Sequence, residues 1–132
     1  MGNNAIYAES LSKNYGNLSA VNNVDLEVPT GICFGLLGPN GAGKTTMIQM
    51  LQTSSPITKG KLIVLGSDVV EESRSIRARI GVIPQEDNLD PDFTAEYNLI
   101  VYARYFGIKS EEAKIKASKL LSKVGLTEKA NE

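Results

Sequence analysis

Ile32-Cys33-Phe34-Gly35-Leu36-Leu37-Gly38-Pro39-Asn40-Gly41-Ala42-Gly43-Lys44-Thr45-Thr46-Met47-Ile48-Gln49-Met50-Leu51 carries, in succession, the signatures of a buried strand, a glycine-rich loop and a helix. Ile32 to Leu37 is a compact apolar run ending at Gly38, which suits a strand covered on both faces in a parallel sheet. Gly38 to Thr45 then follows the pattern glycine, four residues, glycine, lysine, serine or threonine. From Thr45 onward Met47, Ile48, Met50 and Leu51 recur at helical spacing, and Thr53-Ser54-Ser55-Pro56 stops the helix. Glycines permit backbone angles closed to other residues, so successive amides converge on an anion with no side chain between. The helix that follows adds its positive end. Lys44 supplies full positive charge for terminal phosphates, the Thr45 hydroxyl is a candidate ligand of a bridging Mg²⁺, and Thr46 is a candidate donor to a phosphate nearer the nucleoside. Gly38, Asn40, Gly41, Ala42 and Gly43 complete the candidate cradle. The competing reading, a plain glycine-rich turn, would require neither Lys44 nor Thr45.

Upstream, Ile6 to Leu11 and Val21 to Val28 read as strands, the second alternating Val24, Leu26 and Val28 with Asn23, Asp25 and Glu27. Pro29-Thr30-Gly31 reads as a turn. Downstream, Gly60 to Leu65 and Ile80 to Ile83 read as further strands, bounded by Gly66 and Pro84, with a short helix between Glu71 and Arg79. Glu86 to Asp92, holding Glu86, Asp87, Asp90 and Asp92 without a lysine or arginine, reads as an exposed acidic loop. Thr94 is the expected N-cap of a helix running to Phe106 and stopped by Gly107. That helix is apolar on several sides, so much of it is expected to be covered. Ser110 is the expected cap of a last helix, with Glu111 and Glu112 in its first turn, Ala113, Ala117, Leu120, Leu121 and Val124 on one face, and Gly125 at its end.

The 132 residues are 42% hydrophobic and 22% charged, the mixture of a soluble globular domain with a core of its own. Fourteen Lys and Arg against fifteen Asp and Glu leave a net charge of -1, so no overall positive field points to nucleic acid, although a local basic patch stays open. One cysteine, Cys33, excludes an internal disulfide, and the absence of histidine removes imidazole chemistry and His-ligated metals. Met1 to Asn14 carries no leader-like or anchoring run, and no segment is long and apolar enough to span a bilayer, so a cytosolic protein is expected.

Leu11-Ser12-Lys13-Asn14-Tyr15-Gly16, Gly35 to Thr46 and Ile83-Pro84-Gln85 together resemble the ATP-binding subunit of an ABC transporter, over nearly all of the chain. The stretch from Gln85 to Ile108 is most similar to exporters of drugs, polysaccharides and nodulation lipo-oligosaccharides. The resemblance implies an α/β fold, an incomplete RecA-like P-loop NTPase core with an antiparallel β-subdomain up to about residue 85 and the start of a helical subdomain from about residue 86. It also implies ATP and Mg²⁺ as ligands, an adenine stacked on Tyr15 with Val21 as an apolar contact, and Gln85 reaching Mg²⁺ or the attacking water. Catalytic roles are thereby expected for Lys44 and Gln85, and metal contacts for Thr45 and Gln85. The implied partners are transmembrane permease subunits and a second ATP-binding subunit, with the chain peripheral on the cytoplasmic face of the membrane.

Departures from the family pattern are equally informative. The signature segment, the Walker B strand with its carboxylates and the switch histidine are missing, so residues 1–132 read as an N-terminal part of such a domain. Asp68 is set aside as a Walker B substitute, because Gly66 and Ser67 separate it from the apolar run and the resemblance assigns that run to the β-subdomain. Tyr97 stands where the family usually has a glutamate, leaving the side-chain half of a capping box unfilled. The resemblance also places later strands between Ile32–Leu37 and Ile80–Ile83, so those edges are expected to lack partners and to invite self-association. Two other readings compete: a soluble ABC-type switch in translation or DNA repair, and a small-molecule kinase or GTPase. The last leaves Tyr15 and Gln85 unexplained.

Overall fold

In the computed structural model, which describes residues 3–85 and 89–132, β1 (Asn4–Tyr15) and β2 (Leu18–Pro29) form a long antiparallel hairpin that reverses at Gly16 with φ +57°. The other edge of β1 takes β3 (Lys59–Val64), and a tight reversal at Leu65-Gly66 adds β4 (Ser67–Asp68), giving an antiparallel sheet ordered β2-β1-β3-β4. The alternation of β2 works as its sequence requires: Val28 is buried and Val24 and Leu26 half-buried, while Asn23, Asp25 and Glu27 face water. On that outward side the Tyr7 hydroxyl donates to Glu9 at 3.2 Å, and the Glu9 carboxylate, with Glu27 and Asp25 adding to its field, raises the phenol above its ordinary pKa.

The inward face packs on α1 (Lys44–Leu51) and α2 (Ser73–Arg77). Leu11 and Leu62 from the sheet, Met50 from α1 and Ile76 from α2 are its fully buried members, each stabilising by about 1.5–3 kcal/mol. β1 and β3 approach so closely at Gly60, φ +86°, that a Cβ there would run into the carbonyl oxygens of Glu9 and Ser10. Opposite it β1 is irregular, with Ser10 at φ 48°, and Asp25 steadies the deviation by accepting from the Ser10 amide at 2.6 Å.

Two expected strands do not form. Ile32 to Leu37 and Ile80 to Ile83 lie outside the sheet; Leu37 is 92% exposed and Ile83 97%. A strand buried on both faces takes its hydrogen bonds and its cover from neighbours, and among the described residues neither segment pairs with a strand. Apolar composition made these segments competent for a parallel sheet without supplying one.

Contacts divide the chain into two compact units, Met1–Val82 and Ile83–Glu132, so Gln85 falls in the second. In that unit α3 (Ala95–Tyr105) packs on α4 (Ser110–Lys123), with Ile100 against Ala113 and Ala117, whose small side chains let the helices approach. Each helix ends on a left-handed glycine: Ile108 donates to Ala103 and Leu126 to Leu121, with Gly107 and Gly125 both at φ 72°. Several expectations need correction. Tyr97, Tyr102, Tyr105 and Phe106 of the α3 segment are exposed, because α4 covers only the Ile100 side. Ser110 is the first helical residue and Lys109 occupies the cap position, without a side-chain bond. Leu120 and Val124 are exposed; Ala113, Ala117 and Leu121 alone of that row are buried, a narrower stripe than expected.

The start of α3 is fully bonded. Thr94 accepts from the Tyr97 amide at 3.1 Å, and the Ala95 and Glu96 amides donate at 2.9 Å to the carbonyls of Glu132 and Ala130. Those tail carbonyls follow a 3₁₀ turn, Thr127–Lys129. Asn98, 5% exposed, fastens the preceding loop: its Nδ2 donates to the carbonyls of Asp90 (3.0 Å), Phe93 (3.2 Å) and Thr94 (3.3 Å), and its Oδ1 accepts from the Asp90 amide at 3.0 Å. Removing these groups leaves part-buried backbone polar atoms without their partner, so Asn98→Ala should destabilise the chain by about 1–3 kcal/mol, read as a lower urea midpoint at unchanged slope. A loss within about 0.5 kcal/mol, the range of ordinary surface changes, would refute that role.

Candidate functional site

Between β2 and α1 the chain wraps around its own lysine. The Lys44 ammonium donates to the carbonyls of Gly38 and Pro39, both at 2.6 Å, and the Ala42 amide donates to Pro39 at 3.3 Å. Gly41 and Gly43 are left-handed, at φ +83° and +82°. At Gly43 the requirement is also steric, because a Cβ would collide with the Ala20 carbonyl and meet Val21 Cγ2 at 3.2 Å. The hairpin thus backs the end of the loop, and only glycine fits both the angle and the gap.

Gly43 is also the N-cap of α1, and it provides no side-chain bond. The first intrahelical bond is Met47 to Gly43 at 2.8 Å, so the amides of Lys44, Thr45 and Thr46 have no acceptor within the helix, and no carboxylate stands in the first turn. The start of α3, by contrast, is satisfied by Thr94 and the tail. Open amides, the positive end of a helix and one ammonium converge at Gly41–Thr46, a combination suited to an anion with several phosphate oxygens. Lys44 and Thr45 also line an apolar-walled cavity of about 420 Å³ with Phe34, Leu36, Ile48 and Leu51.

Tyr15 lies at the same end of the sheet. It pairs with Leu18 and Lys13 pairs with Val21, directly beside the Ala20-Val21 step that touches Gly43. The ring is 46% exposed, and its hydroxyl is 3.4 Å from Ser55 Oγ. Val21 is buried in the core cluster, with its Cγ2 in the space under Gly43. Gln85 is exposed in the second unit. Glu86 and Asp87 of the expected acidic loop lie outside the described residues; of the remainder, Asp90 accepts from the Asp92 amide at 3.0 Å. Asp68 sits in β4, at the sheet edge opposite β2, and accepts from the Val70 amide at 2.8 Å.

Reading by periodicity passed over Lys13, Asn98 and the capping tail. Lys13 had a signal: it follows Leu11 on the inward side of β1, where a charged residue needs a partner.

A glycine loop closing on its own lysine at an uncapped helix start defines a P-loop phosphate-binding module. The chain belongs to the ABC transporter family, whose model matches residues 21–132. Among similar curated proteins are the Nod factor export ATP-binding proteins I of Paraburkholderia xenovorans (strain LB400), 42% identical over 96% of this chain, and of Rhizobium etli (strain ATCC 51251 / DSM 11541 / JCM 21823 / NBRC 15573 / CFN 42), 44% identical over 96%. The chain spans 42% and 40% of the length of these two relatives. A solved structure described as an ATP-binding subunit of an ABC transporter shares the fold, with a TM-score of 0.82 over 97% of this chain and 53% of its own length, at 23% identity.

Proposed function

We propose that residues 1–132 form the phosphate- and base-binding part of an ATPase that drives export through transmembrane permease subunits. The open start of α1 behind the Lys44-closed loop carries this reading, because it offers a polyphosphate its donors without displacing any helical bond. Similarity to Nod factor export proteins supports export over a soluble switch in translation or DNA repair. No helix among the described residues is long and apolar enough to cross a membrane, and the proposed placement is peripheral, on the cytoplasmic face beside the permease.

In this reading the phosphates lie against the backbone of Gly41 to Thr46, with the free amides at the start of α1 as donors, and Lys44 neutralises their charge. The Thr45 hydroxyl would ligate Mg²⁺, which when bound offsets negative charge on the phosphates. Gln85 would approach the metal or the attacking water with its amide. Val21 backs the loop. Tyr15 presents its ring to adenine, and a second ATP-binding subunit completes the site in the assembled transporter.

Stacking involves the base and not the phosphates. Tyr15→Ala should therefore weaken ATP binding by about three- to tenfold while leaving inorganic triphosphate within about twofold, by calorimetry. Equal losses for both ligands would mean that Tyr15 serves only the fold.

A further inference from the structure

Lys13 is 7% exposed, which is unusual for a lysine, and its surroundings account for where the charge goes. Its Nζ donates to the Pro56 carbonyl at 2.6 Å and lies 4.8 Å from the centroid of the Tyr15 ring, over one face. Ser55, the neighbour of Pro56, is the residue whose Oγ lies 3.4 Å from the Tyr15 hydroxyl. One short loop therefore fixes the ring at two points, at its edge directly and at its face through Lys13. That loop is continuous with α1: the Ser54 and Ser55 amides donate to the Gln49 carbonyl at 2.9 and 3.1 Å.

We propose that Lys13 is a positioning residue for the Tyr15 base platform. Its ammonium, clamped between the Pro56 carbonyl and the ring, covers one face and sets the tilt of Tyr15, so that the opposite face is the one presented to a purine. A ring free to rotate would have to be ordered by the ligand at a cost in affinity, whereas this one is ordered beforehand. Because the anchor hangs from the end of α1, ring and phosphate cradle are mounted on the same helix.

The inference rests on the reading of Tyr15 as an adenine platform, and the experiment separates the two. In the full 132-residue chain, Lys13→Met keeps most of the apolar stem and removes the charge. It should weaken ATP binding about three- to tenfold while leaving inorganic triphosphate within about twofold, and Lys13→Arg should restore most of the loss. In a Tyr15→Ala background Lys13→Met should have no further effect on ATP. Parallel losses for both ligands, an effect that persists without the ring, or loss of cooperative unfolding would make Lys13 a core residue only and overturn the proposal. If Tyr15→Ala alone leaves ATP binding unchanged, the platform reading has failed; if only Lys13→Met is silent, the platform stands and its positioning by Lys13 does not.

Discussion

Lys44→Ala should weaken binding of Mg-ATP and of inorganic triphosphate alike, by roughly tenfold or more, the scale of a lost charge-assisted bond. The ammonium is held at the mouth of the loop by Gly38 and Pro39, so its loss removes both the charge facing an anion and the tie that shapes the cradle. Lys59→Ala is the control. Lys59 opens β3, pairs in register with Ser12 and is exposed, so its removal should leave both affinities within about twofold, the scale of a rim charge in water. Titration calorimetry reads all of these values. Equal loss in the two variants would mean that Lys44 contributes only to net charge, and the phosphate assignment would fall. The pattern differs from that of Tyr15→Ala, where only the nucleotide should lose affinity, so the two variants divide the ligand into its phosphate and base halves.

The second large effect is on turnover. Hydrolysis needs a positioned water, a carboxylate to orient it or accept its proton, and a metal held from more than one side. In the proposed reading residues 1–132 contribute the cradle and the Thr45 hydroxyl. Among the described residues no cluster of three or more acidic, cysteine or histidine side chains is arranged to hold a metal, and Asp68 is committed to the far edge of the sheet. Phosphate release by the purified 132-residue chain should lie at least about 10²-fold below that of a chain extended to the length of its relatives, since losing such positioned groups commonly costs about 10²–10⁴. Release at the rate of the extended chain would defeat this account.

The features that could be read from the sequence share a short range. A glycine demanded by a left-handed angle and a threonine bonding an amide three residues on each involve atoms within about two helical turns. Gly38 to Thr46, the start of α1, the Thr94 cap and the Gly107 and Gly125 stops could therefore be recognised residue by residue. Alternation did the same for β2, because a half-buried strand records on its own surface which side faces the core. The features that tertiary structure decided depend on what lies opposite in space. Ile32–Leu37 has the composition of a buried strand, yet pairing is a property of two segments, and among the described residues no strand pairs with it. Leu120 and Leu121 are chemically alike, yet the folded unit leaves the first exposed and buries the second. The charge of Lys13 became compatible with burial only when folding brought Pro56, forty-three residues away, within 2.6 Å of its ammonium and laid the Tyr15 ring beside it.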